Sequence, residues 1–274
     1  MLKRIITSLI AAPIAILVIW LGGVYLQVVA GFLILISMRE FYRAFNSKWL
    51  PVHFVGFAFA IGYIVFVADF VEGNWFFPFF MLFVMIVFMF LVMFHKRNTA
   101  LDCAVTVFGF FYICMLLSTV ILVRNFEDLG VYVVWLIFFS AWGADTGAYF
   151  AGRFFGKRKL APILSPKKTI EGAIGGVLTA AGISAVYGLV LIHNPLPVQF
   201  AEFENMLVWQ LALIGAGGAV LSIFGDLAAS AIKRHTDVKD FGNLLPGHGG
   251  ILDRFDSVLF TAPSVYMLVI LILM

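Results

Sequence analysis

Apolar residues run through this chain in blocks long enough to cross a bilayer, and polar residues are confined to short breaks between them. A helix needs roughly 20 apolar residues to span the hydrocarbon layer. Blocks near 5–22, 24–38, 53–70, 75–94, 100–123, 130–151, 170–193, 207–229 and 256–273 therefore predict about nine transmembrane helices. The second block is short, and its boundary with the first at Gly22-Gly23 is soft. The main polar breaks fall around 39–52, 152–169 and 230–255. There is no low-complexity segment, no internal repeat and no stretch that would make a soluble domain. The expected fold is all-α: a polytopic membrane protein forming one integral membrane domain over 1–274. In it, residues 1–125 provide N-terminal helices and 126–274 carry the chemistry.

Composition agrees with the pattern. Of 274 residues, 63% are apolar and 12% charged, with a mean hydropathy of +1.05, which excludes an ordinary soluble globular protein. The net charge of +3 is too small to suggest nucleic-acid binding. Cys103 and Cys114 lie in one apolar block and read as packing residues rather than a disulfide or metal pair. The start, Met1-Leu2-Lys3-Arg4 and then apolar residues, resembles a signal peptide, but no polar mature domain follows, so it reads as an uncleaved first span. Placing the N-terminus inside puts every basic residue of the breaks inside except Arg124. The outside breaks then carry Asp69, Glu72, Glu127, Asp128, Glu202 and Glu204. Basic residues favour the cytoplasmic side. The 152–169 and 230–255 loops are thus expected to face the cytosol, with the C-terminus outside, in a protein of the cell membrane.

The break from Ser230 to Asp256 reads SAIKRHTDVKDFGNLLPGHGGILDRFD. It carries Lys233, Arg234, Lys239, Asp240, His248, Asp253, Arg254 and Asp256, with the Gly249-Gly250 turn among them. Carboxylates hold hard cations, Lys and Arg neutralise phosphate oxygens, and glycine lets backbone approach a ligand. Asp226 lies near the end of the eighth span, and Asp145 lies inside the sixth, where an ionisable group is costly and a functional candidate. With Asp253 and Asp256 spaced i, i+3 on one expected helical face, four aspartates approach the same membrane side. Converging carboxylates repel unless a cation sits among them. Mg²⁺ held by a few carboxylates plus substrate phosphates answers this, as one or two divalent ions, with Mn²⁺ an alternative. The competing reading pairs each aspartate with Lys233, Arg234 or Arg254.

His248 reads as a phosphate contact or proton-transfer group, against a merely solvated turn residue. No zinc ligand pattern is present. Ser165-Pro166-Lys167-Lys168-Thr169 sits just before a helix start, where Ser165 and Thr169 can cap the helix or bind phosphate. Anchoring to anionic lipid would equally explain the basic charge of this loop. Gly143, Gly147 and Ala151 form a small-residue stripe, and the Gly215-Ala216-Gly217-Gly218 run lies inside a span. Both read as helix packing.

At these residues the chain resembles the phosphatidate cytidylyltransferase, or CDP-diacylglycerol synthase, family. The family signature is matched without departure by Ser230, Ile232, Lys233-Arg234, Lys239-Asp240, Gly242, Leu245, Pro246, His248-Gly249-Gly250, Ile251, Asp253-Arg254, Phe255 and Asp256. Asp145, Ala148-Tyr149, Gly152-Arg153 and Ser165 to Thr169 match a second family segment, and the resemblance covers about the C-terminal half. It implies that CTP and phosphatidic acid give CDP-diacylglycerol and pyrophosphate with a divalent metal. With CTP in the cytosol and the lipid in the bilayer, the charge pattern places the active site at the cytosolic face in contact with membrane lipids, with homodimer formation left open. A cation-coupled transporter, or a nucleotidyltransferase acting on another lipid, is the alternative; the first lacks paired halves with matching midplane breaks.

Overall fold

The computed structural model describes residues 13–45, 50–127, 129–193, 207–244 and 249–273. Residues 13–21 are helical. They are followed by α1 (Gly23–Phe45), α2 (Pro51–Val65), α3 (Val67–Glu72) and α4 (Phe76–Met93). Helix α5 (Ala100–Arg124) contains a π-helical turn at Phe110–Met115. Then come α6 (Gly130–Phe155), the strands β1 (Lys159–Ala161) and β2 (Ser165–Thr169), α7 (Ile170–His193), α8 (Leu207–His235), α9 (Leu252–Phe255) and α10 (Val258–Leu273). Among the described residues seven helices are long and apolar enough to cross a membrane, α9 and α10 counting as one; α2 is a shorter apolar helix. The protein is thus an all-α polytopic membrane protein, and the first expected span falls partly outside the described residues.

The expected 53–70 span is divided at Phe66 into α2 and α3, and three other helices run past the apolar blocks that predicted them, for one reason. Charged residues extend a helix beyond the apolar block that defines it, because long side chains reach the polar layer while the backbone stays helical. Helix α1 therefore continues to Phe45, α6 to Phe155 and α8 to His235, so Lys233 and Arg234 end a helix rather than open a loop.

The chain forms two compact units: Met1–Leu122 with Thr236–Arg254, and Val123–His235 with Phe255–Met274. The first is built on aromatic packing. Phe41, Tyr42, Phe83 and Phe110 are fully buried, and Tyr42 stacks on His53 with centroids 4.5 Å apart while its hydroxyl donates to the Thr106 carbonyl at 3.1 Å. Thr99 and Asp102 close a capping box at the start of α5. Helix α4 buries only Phe83 and Val87 and leaves Phe77, Met85, Phe88 and Val92 exposed, as a lipid-facing helix must. Cys103 and Cys114 are free and buried, in keeping with packing roles.

The second unit is held by small residues. A methyl group on Gly147 would meet Thr179 and the Gly175 carbonyl, and one on Gly176 would meet the Ala144 carbonyl. Likewise Gly215 abuts Ser184 and Gly218 abuts Ser140. Ala144, Ala180 and Ala219 form the centre where α6, α7 and α8 meet. In lipid there is no hydrophobic drive between helices, so close backbone approach supplies the packing energy. The Gly143 stripe and the Gly215–Gly218 run are accordingly packing surfaces.

Candidate active site

The 152–169 stretch, expected as a loop, opens with the end of α6 and then folds into an antiparallel hairpin that pairs Lys159 with Thr169 and Ala161 with Ser165. The Thr169 hydroxyl accepts from Gly172 N at 3.1 Å and caps α7. Glu171 accepts from Lys157 N at 3.0 Å and from Arg158 N at 3.2 Å, fastening the hairpin base to the helix. This fixes where β2 delivers its lysines. Lys168 forms an ion pair with Asp226 of α8, and Lys167 lines the same pocket.

That pocket, of about 360 Å³, is lined by Asp145, Tyr149 and Arg153 of α6, by Lys167, Lys168 and Thr169 of the hairpin, and by Ile223 of α8. Arg153 donates to the Tyr149 hydroxyl at 2.9 Å. Asp226 accepts weakly from the Ser230 hydroxyl at 3.5 Å. Asp256 lies in the turn between α9 and α10, where Ser257 N donates to it at 2.8 Å. Lys233 stands 3.9 Å from Asp256, and both side chains are only about 15% exposed. Asp145, Asp226 and Asp256 act electrostatically on one another, and the Ser257 hydroxyl also reaches Asp145. Two of the three carboxylates thus face a lysine, and Arg153 and Lys167 add positive charge at the adjoining pocket.

Among the described residues no three His, Cys, Asp or Glu side chains gather into a ready metal cage. The donor set nonetheless suits a hard cation that takes only one or two protein carboxylates and completes its shell from substrate phosphates and water, which is how Mg²⁺ is usually held.

The expected i, i+3 face shared by Asp253 and Asp256 does not form. Helix α9 stops at Phe255, and Asp256 is a turn residue. Asp253 is buried, and its Oδ2 accepts from Phe241 N at 2.9 Å and from Gly250 N at 3.0 Å. It braces the signature loop across its width.

Sequence reasoning missed the second brace, Glu40. This α1 residue is 7% exposed and accepts from Ile251 N at 3.1 Å and from Leu252 N at 2.9 Å, capping α9 across more than 200 residues of chain. A methyl group at Gly242 or Gly250 would collide with its carboxylate, so both positions need glycine. The one signal was an acid within the Met38-Arg39-Glu40 end of an apolar block. Gly249 has a left-handed φ of 85°. Lys239, Asp240 and Arg254 are exposed on the braced loop. Ser165 is half-buried in β2, and Arg234 is exposed at the end of α8. His248 lies outside the described residues.

Carboxylates and lysines from α6, α8, the hairpin and the α9–α10 turn thus converge in a polytopic helical protein, which makes it an integral membrane protein with a charged site. The chain belongs to the Cytidylyltransferase family, whose sequence model matches residues 2–272. It is 34% identical to a phosphatidate cytidylyltransferase of Staphylococcus aureus (strain COL) over 274 residues, covering 97% of this chain and 98% of the relative. A relative from Staphylococcus epidermidis is 33% identical, again covering 97% and 98%. The phosphatidate cytidylyltransferase of Bacillus subtilis (strain 168) is 44% identical over 160 residues, which is 58% of this chain and 55% of that protein.

Proposed function

We propose that this chain transfers the cytidylyl group of CTP to phosphatidic acid in phospholipid biosynthesis, releasing pyrophosphate. The observation carrying this reading is the set of three mutually interacting carboxylates, Asp145, Asp226 and Asp256, each near a lysine that can exchange its carboxylate for a phosphate. A phosphate oxygen of the lipid attacks the α-phosphorus of CTP, and the bond from that phosphorus to the β-phosphate bridging oxygen breaks. Such transfer is chiefly positioning and charge neutralisation. Lys168, leaving Asp226, takes a phosphate oxygen of one substrate, and Lys233, leaving Asp256, takes one of the other. Asp226 and Asp256, with Asp145 beside them, would hold Mg²⁺, which when bound draws charge from the reacting phosphates. Asp253 and Glu40 position the loop rather than the metal. On the signature match alone, Lys239, Asp240, Arg254, Gly249 and Gly250, and separately Arg234, are assigned to the nucleotide. The site faces the cytosol, where CTP is.

Purified protein is incubated with labelled CTP, phosphatidate and Mg²⁺, and the lipid fraction is assayed for label. Label should enter lipid as CDP-diacylglycerol. Asp226→Asn and Asp256→Asn, checked for folding, should each lose about 100-fold or more in kcat, the scale of removing one preorganised charge-stabilising group. A folded Asp256→Asn protein with unchanged turnover and Mg²⁺ dependence would overturn the assignment.

A further inference from the structure

An apolar groove of about 500 Å³ runs between α7 and α8. Its walls are Ile174, Val177 and Leu178 of α7 and Val220, Phe224 and Leu227 of α8. Two other apolar grooves, one between α1 and α2 near Val28 and Ile61 and one along α4 near Met85 and Met89, are lined by no cation. The α7–α8 groove differs in one respect. Leu160, Ala173 and Ile223 line both this groove and the polar pocket that holds Arg153, Lys167 and Lys168. One continuous surface therefore runs from a cationic end to a hydrocarbon end.

The dimensions suit a lipid bearing a phosphate. From Ala173 to Leu178 the groove follows α7 for about 8 Å, and from Leu227 back to Val220 it follows α8 for about 11 Å, at roughly 1.5 Å per residue. Ile174, Leu178 and Phe224 on its rim are more than half exposed, so a chain can enter sideways from the membrane. The cationic end matches a phosphate monoester, which carries more negative charge than the diester of a bulk phospholipid and offers oxygens to both Arg and Lys. A zwitterionic lipid gains little there.

We infer that the α7–α8 groove seats an acyl chain of the lipid substrate, whose phosphate rests among Arg153, Lys167 and Lys168. The inference rests on the proposed transfer to phosphatidate. It assigns Lys167 and Lys168 of the hairpin and Arg153 of α6 to the lipid rather than to the nucleotide.

The test uses the full chain in neutral detergent, with dioleoyl and dibutyryl phosphatidate as alternative substrates at saturating CTP. Ile174→Trp places an indole in the groove. It should lower the ratio of long-chain to short-chain kcat/KM by about 10-fold or more, the range over which an apolar pocket discriminates chain size. Val28→Trp, in the groove of the other unit, should leave that ratio unchanged. A second measurement needs no turnover: phosphatidate with a diazirine on its acyl chain should label the α7–α8 segment, and unlabelled phosphatidate should compete where phosphatidylcholine does not. An unchanged ratio in Ile174→Trp, or equal competition by the two lipids, would show that the groove holds bulk lipid only. If the unsubstituted protein uses neither phosphatidate while photolabelling still shows selective competition, the groove assignment as a phosphatidate seat stands and the transfer reaction is what fails.

Discussion

The two carboxylates on the signature loop do different work from those in the helices, and the difference can be measured. Glu40 and Asp253 each accept two backbone N–H donors that are otherwise buried. An unsatisfied buried donor costs about 1–3 kcal/mol. Glu40→Ala should therefore lower the thermal midpoint and cut turnover, while Glu40→Gln, keeping one acceptor oxygen, should fall between it and the parent. Asp253→Asn should speed amide hydrogen exchange at Phe241 and Gly250 without any metal or nucleotide present, and Asp226→Asn should not. Unchanged exchange at both amides in Asp253→Asn would return Asp253 to the metal-ligand role expected from its spacing. Asp237, exposed and left-handed at φ 55°, is a fair control, since Asn tolerates that conformation as well as Asp does. Asp237→Asn should retain activity.

At the scale of the elements, the α6–α7 interface concentrates the constraint. Gly147, Gly175 and Gly176 each leave no room for a side chain. Gly176→Leu should force the Ala144 backbone away and cost about 1–3 kcal/mol through overpacking. Because Asp145 follows Ala144 directly, the same change should reduce turnover even in protein that still folds. Circular dichroism on heating, together with the cytidylyl-transfer assay, checks both effects. A Gly176→Leu protein of unchanged stability would mean the helices are not in backbone contact there. This packing was readable in advance from the four-residue spacing of Gly143, Gly147 and Ala151, because one face of a helix repeats at that interval. The hairpin was not. Lys159–Ala161 and Ser165–Thr169 have no alternation of apolar and polar residues, and their pairing is set by Glu171 and Thr169 fastening them to α7. Nor did anything local point to Glu40, whose partners lie more than 200 residues away. Asp145 and Asp226 stood out because charge inside apolar sequence is rare, and Lys233 and Asp256 because they lie in a charge-dense break, whereas Lys168 pairing with Asp226 depends on a turn no periodicity encodes.

For the molecule as a whole, the proposed reaction depends on which face of the membrane carries the polar site. The charge distribution puts Lys159 and Lys239 on the side that holds nearly all the other basic residues, and Glu127 on the opposite side. CTP is confined to the cytosol, so the proposed reaction requires Lys159 and Lys239 to be there. All three residues are exposed, and the native cysteines Cys103 and Cys114 are buried, so background labelling should be low. In intact cells an impermeant maleimide should modify Glu127→Cys directly, but Lys159→Cys and Lys239→Cys only after the membrane is opened. The reverse pattern would place the carboxylates and lysines on the side without nucleotide, and the proposed transfer from CTP would fail with it. Labelling of Lys159→Cys and Lys239→Cys from different sides would instead mean that an odd number of spans separates the hairpin from the signature loop, contradicting the two crossings made by α7 and α8.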